Sequence, residues 1–393
     1  MARNTQTCQK RSLTWPWIVI PLALLLLAGF IWTRLLMDTP PAAIDAPEVQ
    51  AATGDAAAVA SETPANQTPT NPASASQGKP APAALATRIT ALGRTFDGEA
   101  GIVVQSIDDG WIASHNGDIP LPQQSLSKLW VAVTALDKAD KGALSLNDSV
   151  TLTSADLSIF HQPIRKRILA SGSFRTTNAD LLRRAMTQSD NTANAALFRQ
   201  VGGRDGVVGF LSGKGLNNIK MDESEKALQM GIVGMEWRDS YSYGRNFWKA
   251  RKRVPFAQRM QKMGVYLADP PDAATPHGVA KGLQMLATGR LLSSRSSAYL
   301  IDLMAKSKTG PKRLRGGLSA GWSLPHKTGT GQVLKLLATA YNDVGILISP
   351  TGRRYAVVVM IGATNRPVPE RQDLMQAVTR SVIACENAGW QSC

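Results

Sequence analysis

The sequence predicts an α/β protein of the α+β type. An antiparallel sheet is built from both ends of one domain, flanked by helices, with an all-helical subdomain inserted between. Two hairpin patterns and one long helical stretch carry this expectation. Gly101 to Ser106 is apolar, Asp108-Asp109-Gly110 reads as a turn, and Trp111-Ile112-Ala113 resumes the run. Far downstream, Val344 to Ser349, a Pro350-Thr351-Gly352 turn and Tyr355 to Gly362 repeat that pattern. Between about 125 and 305 apolar positions recur near every 3.6 residues, as in Leu129, Ala132, Val133 and Leu136. The stretch from about Glu370 to Asn387 is helical too. No internal repeat interrupts this plan.

The folded domain is expected at 86–393. Ahead of it, Ser12 to Thr33 carries no charge and is rich in Leu, Ile, Val, Ala and Trp. A hydrocarbon core of about 30 Å needs roughly 20 apolar helical residues, so the run is long enough to span. Arg3, Lys10 and Arg11 precede it, which places residues 1–11 in the cytoplasm. A cleaved signal peptide would have a shorter apolar region and a small-residue cleavage site. Here Arg34-Leu35-Leu36-Met37 follows with no Ala-x-Ala, so residues 12–37 are expected to form an uncleaved anchor. Residues 38–85 are rich in Ala, Pro, Thr and Ser. Such a segment buries too little apolar surface to offset its chain entropy and reads as a disordered tether.

The formal charge is +15. Five basic and five acidic residues cancel before residue 86, so the excess belongs to the folded domain. A basic surface often meets nucleic acid. A domain held outside the cytoplasm has no such partner, and anionic envelope polymers or phospholipid headgroups fit better. A solvated basic face is the alternative. Cys385 and Cys393 lie on the oxidising side, a short loop apart, and are expected to form a disulfide; Cys8 stays a thiol. His115, His161, His277 and His326 form no His-x-His or His-x-x-x-His pair, which argues against a zinc hydrolase.

Three short motifs follow in order: Ser125-Leu126-Ser127-Lys128, Ser189-Asp190-Asn191 and Lys327-Thr328-Gly329. Singly each is weak. Ser76-Gln77-Gly78-Lys79 and Lys308-Thr309-Gly310 match the first and third patterns and are taken as accidents. Context separates signal from accident. Ser125 opens an apolar helix, whose dipole favours developing negative charge. Lys128 lies three residues on, on the same face, within reach of the serine proton. Lys327 to Gly331 leads into an apolar strand run, a glycine-rich edge suited to pairing with an extended substrate.

Together these segments resemble class A beta-lactamases and, more broadly, the penicillin-recognising serine hydrolases. Leu121 to Lys128 is similar to their nucleophile segment, and Thr187 to Ala193 to their second motif. Asp269 to Pro276 resembles the end of their omega loop. Arg313 to Leu318, with Gly321-Trp322 and His326 to Gly331, resembles their third motif and its approach. The resemblance implies Ser125 as acylated nucleophile and Lys128 as its base or proton relay. It implies Ser189 as proton carrier to the leaving nitrogen and Asn191 as holder of the substrate amide. Lys327, Thr328 and Gly329 would bind at the substrate carboxylate, with Arg313 as an added carboxylate arginine. The N–H groups of Ser125 and Thr330 would form the oxyanion hole. Phe160 falls at an aromatic wall, or is a simple core residue.

Glu225 takes the place of the family's deacylating glutamate, and Gln229 stands where an Asn is usual. Glu223 or Glu236 is the alternative base, or there is none. About thirty extra residues, 230–263, interrupt this loop with a mixture of basic and aromatic side chains, read either as a lid or docking surface or as a flap packed on the enzyme. The resemblance implies no metal and no organic cofactor. Three activities remain open: beta-lactam hydrolysis, a D,D-peptidase acting on peptidoglycan stem peptides, or a sensor or wall-binding module without turnover. The domain is expected in the periplasm, anchored in the inner membrane.

Overall fold

A computed structural model describes residues 79–390 and Cys393. The expected anchor at 12–37 and the tether as far as residue 78 lie outside the described residues. Among the described residues no helix is long and apolar enough to cross a membrane.

The two hairpins of the sequence meet in one five-stranded sheet. Its strands are β1 (Ala100–Ser106), β2 (Ile112–His115), β3 (His326–Thr330), β4 (Tyr341–Ile348) and β5 (Arg354–Ile361). The order is β2-β1-β5-β4-β3, and every neighbouring pair is antiparallel. Val103 lies opposite Val358, and Val344 opposite Val358 on the other side, so chain positions some 250 residues apart share one register. Because side chains alternate across a strand, both faces can be apolar only when both are covered. On β5, Ala356, Val358 and Met360 enter the core shared with the helical body. Tyr355, Val357, Val359 and Ile361 enter a second core. Helices α1 (Ala83–Thr95) and α12 (Val368–Ala388) supply its other side, through Leu85, Ile89, Leu374, Met375, Val378 and Val382. The fold therefore starts at Ala83, slightly ahead of residue 86.

The helical body contains α2 (Ser127–Asp140), α3 (Arg165–Ser171), α4 (Asn178–Gln188), α5 (Asn191–Gln200), α6 (Gly203–Gly213), α7 (Glu225–Gly231), α8 (Asn246–Arg253), α9 (Phe256–Ala268), α10 (Pro276–Ala287) and α11 (Ser294–Ala305). Helix α2 is central. Every residue from Lys128 to Asp137 is buried, as expected of a helix enclosed on all sides. Burying Lys128 in that run is what brings its amine to Ser125.

Helices α8 and α9 take up the second half of the expected insertion, and α9 runs past its end. They close a third core, in which Phe247, Met263 and Tyr266 pack with Ile159, Leu228, Met230 and Leu334. The insertion thus packs on the body through its own apolar side chains. At the C-terminus, Cys385 and Cys393 are joined by a disulfide with Cα atoms 5.0 Å apart, as expected.

Candidate active site

Ser125 sits in one 3₁₀ turn, Gln124–Leu126, that runs directly into α2. Gln124 has φ 53°, in the left-handed region that costs a side-chain-bearing residue energy. Surrounding contacts hold it there. Asp272 accepts the Gln124 N–H at 2.6 Å, and its carbonyl accepts the Gln123 N–H at 3.1 Å. Leu121 and Pro122 pair with Ala274 and Ala273. Asn342, on β4, donates to Pro122 O at 2.7 Å. Gly329 lets β3 approach this turn: a Cβ there would lie 2.3 Å from Gln123 O.

One helical step from Ser125, Lys128 Nζ donates to Ser125 Oγ at 2.7 Å. Burial pushes the Lys128 amine below the ordinary lysine range, opposed by the negative charges of Glu225 and Asp190. Glu225 Oε2 is 3.8 Å from Lys128 Nζ. Its Oε1 accepts from Gln229 Nε2 at 3.1 Å and lies 3.4 Å from Asn191 Nδ2. Ser224 caps α7 by accepting from Ala227 N, which sets Glu225 and Gln229 one turn apart on a common face. Glu223 instead lies exposed beside Arg204, and Glu236 is exposed. The geometry therefore brings Glu225 to the lysine, and neither alternative.

Ser189 occupies the junction of α4 and α5 with φ 55°. Asp190 caps α5 through the N–H groups of Thr192 and Ala193 and accepts from Ile164 N at 2.7 Å. Burial raises its carboxyl despite these three donors. So fixed, Ser189 Oγ accepts from Lys327 Nζ at 3.0 Å. Lys327 is buried on β3. Burial, then the nearby Lys128 and Arg313 cations, push its amine well below the lysine range. Ser125, Lys128, Ser189 and Lys327 thus form two serine–lysine pairs.

Thr328 Oγ1 is 2.8 Å from Thr309 Oγ1, and Lys308 N donates to Thr187 O at 2.8 Å. The second Lys-Thr-Gly, taken as accidental in the sequence, lies against the first. Arg313 is buried. It donates to Gly329 O at 2.8 Å, Asn342 O at 2.6 Å and Thr330 Oγ1 at 2.5 Å, with its guanidinium over Tyr341. Burial lowers its pKa. Its fork braces the backbone of β3 and β4 and reaches the site through Thr330. Phe160, at φ 61°, packs against Phe247 and stacks on Trp248 with centroids 5.4 Å apart, so the insertion supports that wall.

Sequence reasoning missed a polar chain beneath the nucleophile. Gln229 donates to Gln124 Oε1 at 2.8 Å and accepts from Gln332 at 2.9 Å. Gln124 Nε2 donates to Tyr266 OH, and Tyr266 OH to Asp272.

Residues 84–385 match the model of the beta-lactamase enzyme family. The chain belongs to this family. A beta-lactamase of Mycobacterium tuberculosis is 28% identical over 285 residues, covering 72% of this chain and 78% of that protein. Beta-lactamase SME-1 of Serratia marcescens is 27% identical over 248 residues, 63% of this chain and 71% of that protein. The crystal structure of a beta-lactamase from Chitinophaga pinensis superposes with TM-score 0.64 at 27% identity, covering 77% of this chain and 100% of that one. Within this beta-lactamase family member, the two serine–lysine pairs and Glu225 converge beside β3, the last strand of the sheet. That is an arrangement equipped for acyl transfer to a serine.

Proposed function

We propose that this member of the beta-lactamase family opens beta-lactam amides through an acyl-enzyme on Ser125. The observation that carries the reading is the placement of Glu225, shared among Lys128, Gln229 and Asn191. A carboxylate so held is suited to activating the water that releases an acyl group, which favours turnover over a long-lived adduct.

Lys128, its amine depressed by burial, takes the Ser125 proton as Oγ attacks the lactam carbonyl carbon. The N–H groups of Ser125 and Thr330 steady the oxyanion. As the carbon–nitrogen bond breaks, Ser189 gives its proton to the nitrogen and is reprotonated with the proton that Lys128 took, while Lys327, 3.0 Å from its oxygen, holds it in place. Lys327 and Thr328 meet the substrate carboxylate, Gly329 opens the strand edge beside it, and Arg313 acts behind Thr330. Asn191 holds the side-chain amide, and Phe160 borders the site. Glu225 then takes a proton from water, whose oxygen attacks the ester carbon. The carbon–Oγ bond breaks, and Oγ takes that proton from Glu225 through Lys128, whose amine is 3.8 Å from the carboxylate and 2.7 Å from Oγ.

The apolar run Ser12 to Thr33 and the bases before it support an inner-membrane anchor with the catalytic domain in the periplasm. Mixing the protein with a chromogenic cephalosporin tests the activity. Sustained turnover, lost in Ser125→Ala, is expected. Stoichiometric labelling without turnover would instead indicate a D,D-peptidase or a sensor.

A further inference from the structure

One face of the insertion carries chemistry that acyl transfer does not use. From Arg245 to Ala268 the chain has seven cationic residues and no acidic one. Helices α8 and α9 and the hairpin Val333–Ala338 enclose an open groove of about 350 Å³. Arg245, Lys252, Arg259 and Lys335 line it beside Trp248, Phe256 and Val333. The groove is held in shape from within. Arg251 donates to Val333 O at 2.9 Å and packs on Trp248, and Lys335 lies over the Phe256 ring at 4.4 Å.

The apolar side chains around this groove face water. Trp248, Phe256, Val333 and Leu336 are 39, 40, 42 and 71% exposed. They make up half of the eight large apolar side chains exposed among the described residues; Trp248, Phe256 and Val333 line the groove, and Leu336 lies beside it on the hairpin. Single exposed apolar residues need no explanation, but a cluster ringed by cations does.

The lining chooses among anionic partners. No carboxylate, carboxamide or hydroxyl side chain lines the groove. A sugar's hydroxyls call for side-chain acceptors as well as donors, and the side chains here offer only donors. A phosphodiester needs donors only. Half-exposed rings and an aliphatic tip suit the boundary between headgroups and acyl chains, with the cations on the phosphates. We propose that this patch docks the domain on an anionic phospholipid surface. Phosphate groups enter the groove, and Trp248, Phe256 and Leu336 sit at the interface. The surface is continuous with the active site through Trp248, which stacks on Phe160. The proposal stands independently of the acyl-transfer chemistry.

Hydrogen exchange tests it on the full chain, mixed with nanodiscs of phosphatidylcholine alone or with added phosphatidylglycerol. Amides of 245–262 and 333–338 should exchange severalfold more slowly with the anionic lipid only, and added salt should erase the difference. The triple variant Arg245→Glu/Lys252→Glu/Lys335→Glu, all three exposed, should lose it. Should that variant fail to fold, the salt titration of the wild type decides alone. Equal exchange in both lipids overturns the proposal. So does equal protection by glycerol phosphate or peptidoglycan fragments in phosphatidylcholine discs, since either assigns the groove to a soluble ligand.

Discussion

Tyr266 donates its hydroxyl proton to Asp272 at 3.0 Å while accepting from Gln124 Nε2 at 2.5 Å. Tyr266 lies in the last turn of α9, just beyond the expected insertion, and Gln124 immediately precedes Ser125. Asp272 closes the circuit by accepting the Gln124 N–H. The helix that continues the insertion is thereby tied to the turn that carries Ser125. Among the described residues no cation pairs with Asp272, so this buried carboxyl depends on hydrogen bonds.

Tyr266→Phe removes the donor to Asp272 and the acceptor for Gln124 while keeping the ring. Leaving buried polar groups unpaired costs about 1–3 kcal/mol. Urea unfolding should show a loss of that order, with slower acylation of Ser125 because Gln124 is less firmly held. Unchanged stability and unchanged acylation would remove Tyr266 from the positioning network.

Asp272 has a pH signature. Burial is the main cause that lifts its pKa to about 7, against the hydrogen bonds from Gln124 and Tyr266 that lower it. An unfolded aspartate titrates near ~3.9. Between those values the unfolded chain has lost the proton and the folded chain keeps it. The Asp272 contribution to stability therefore falls as pH rises from about 4 to about 7, by at most ~1.4 kcal/mol per pH unit, and the loss is complete above that window. Asp272→Asn removes this component. The stability of the variant relative to wild type should climb with pH across the window, and parallel profiles would show that Asp272 does not titrate there.

Phe247 is 2% exposed in the core that joins the insertion to the body. Phe247→Ala should cost about 3–5 kcal/mol, the range for emptying a buried aromatic site. It should also free Phe160 and Trp248, which pack on its ring. Calorimetry checks the first effect and the spread of KM values across beta-lactams the second. A melting temperature equal to wild type would mean that the insertion is a detachable flap.

The sheet was legible because its strands carry their own signal. Gly101 to Ser106 and Tyr355 to Gly362 are apolar runs bounded by turns; they pair with each other edge to edge, and helices cover both faces. The proximity of Ser125 and Lys128 was legible because a three-residue spacing at the start of a helix fixes it. Tyr266 and Asp272 were not. Tyr266 lies 142 positions from Gln124, and on α9 its spacing is that of any core tyrosine. Lys308-Thr309-Gly310 looked accidental for a similar reason. Only tertiary packing sets Thr309 against Thr328. The aromatic residues of the insertion divide by depth, Phe247 inward and Trp248 outward, although they are sequence neighbours. Helical periodicity alone did not show which face would be covered.

The measurement that bears most directly on the proposed reaction is intact-mass spectrometry, with peptide mapping, through a single turnover of a penicillin. Wild type and Glu225→Gln are compared side by side. A transient adduct on Ser125 is expected in the wild type, followed by free enzyme and hydrolysed product. In the variant the same adduct should persist, with release slowed about 10²–10⁴-fold, the usual worth of a general base. An adduct on any other residue, or one on Ser125 that persists equally in both proteins, would contradict the reaction proposed.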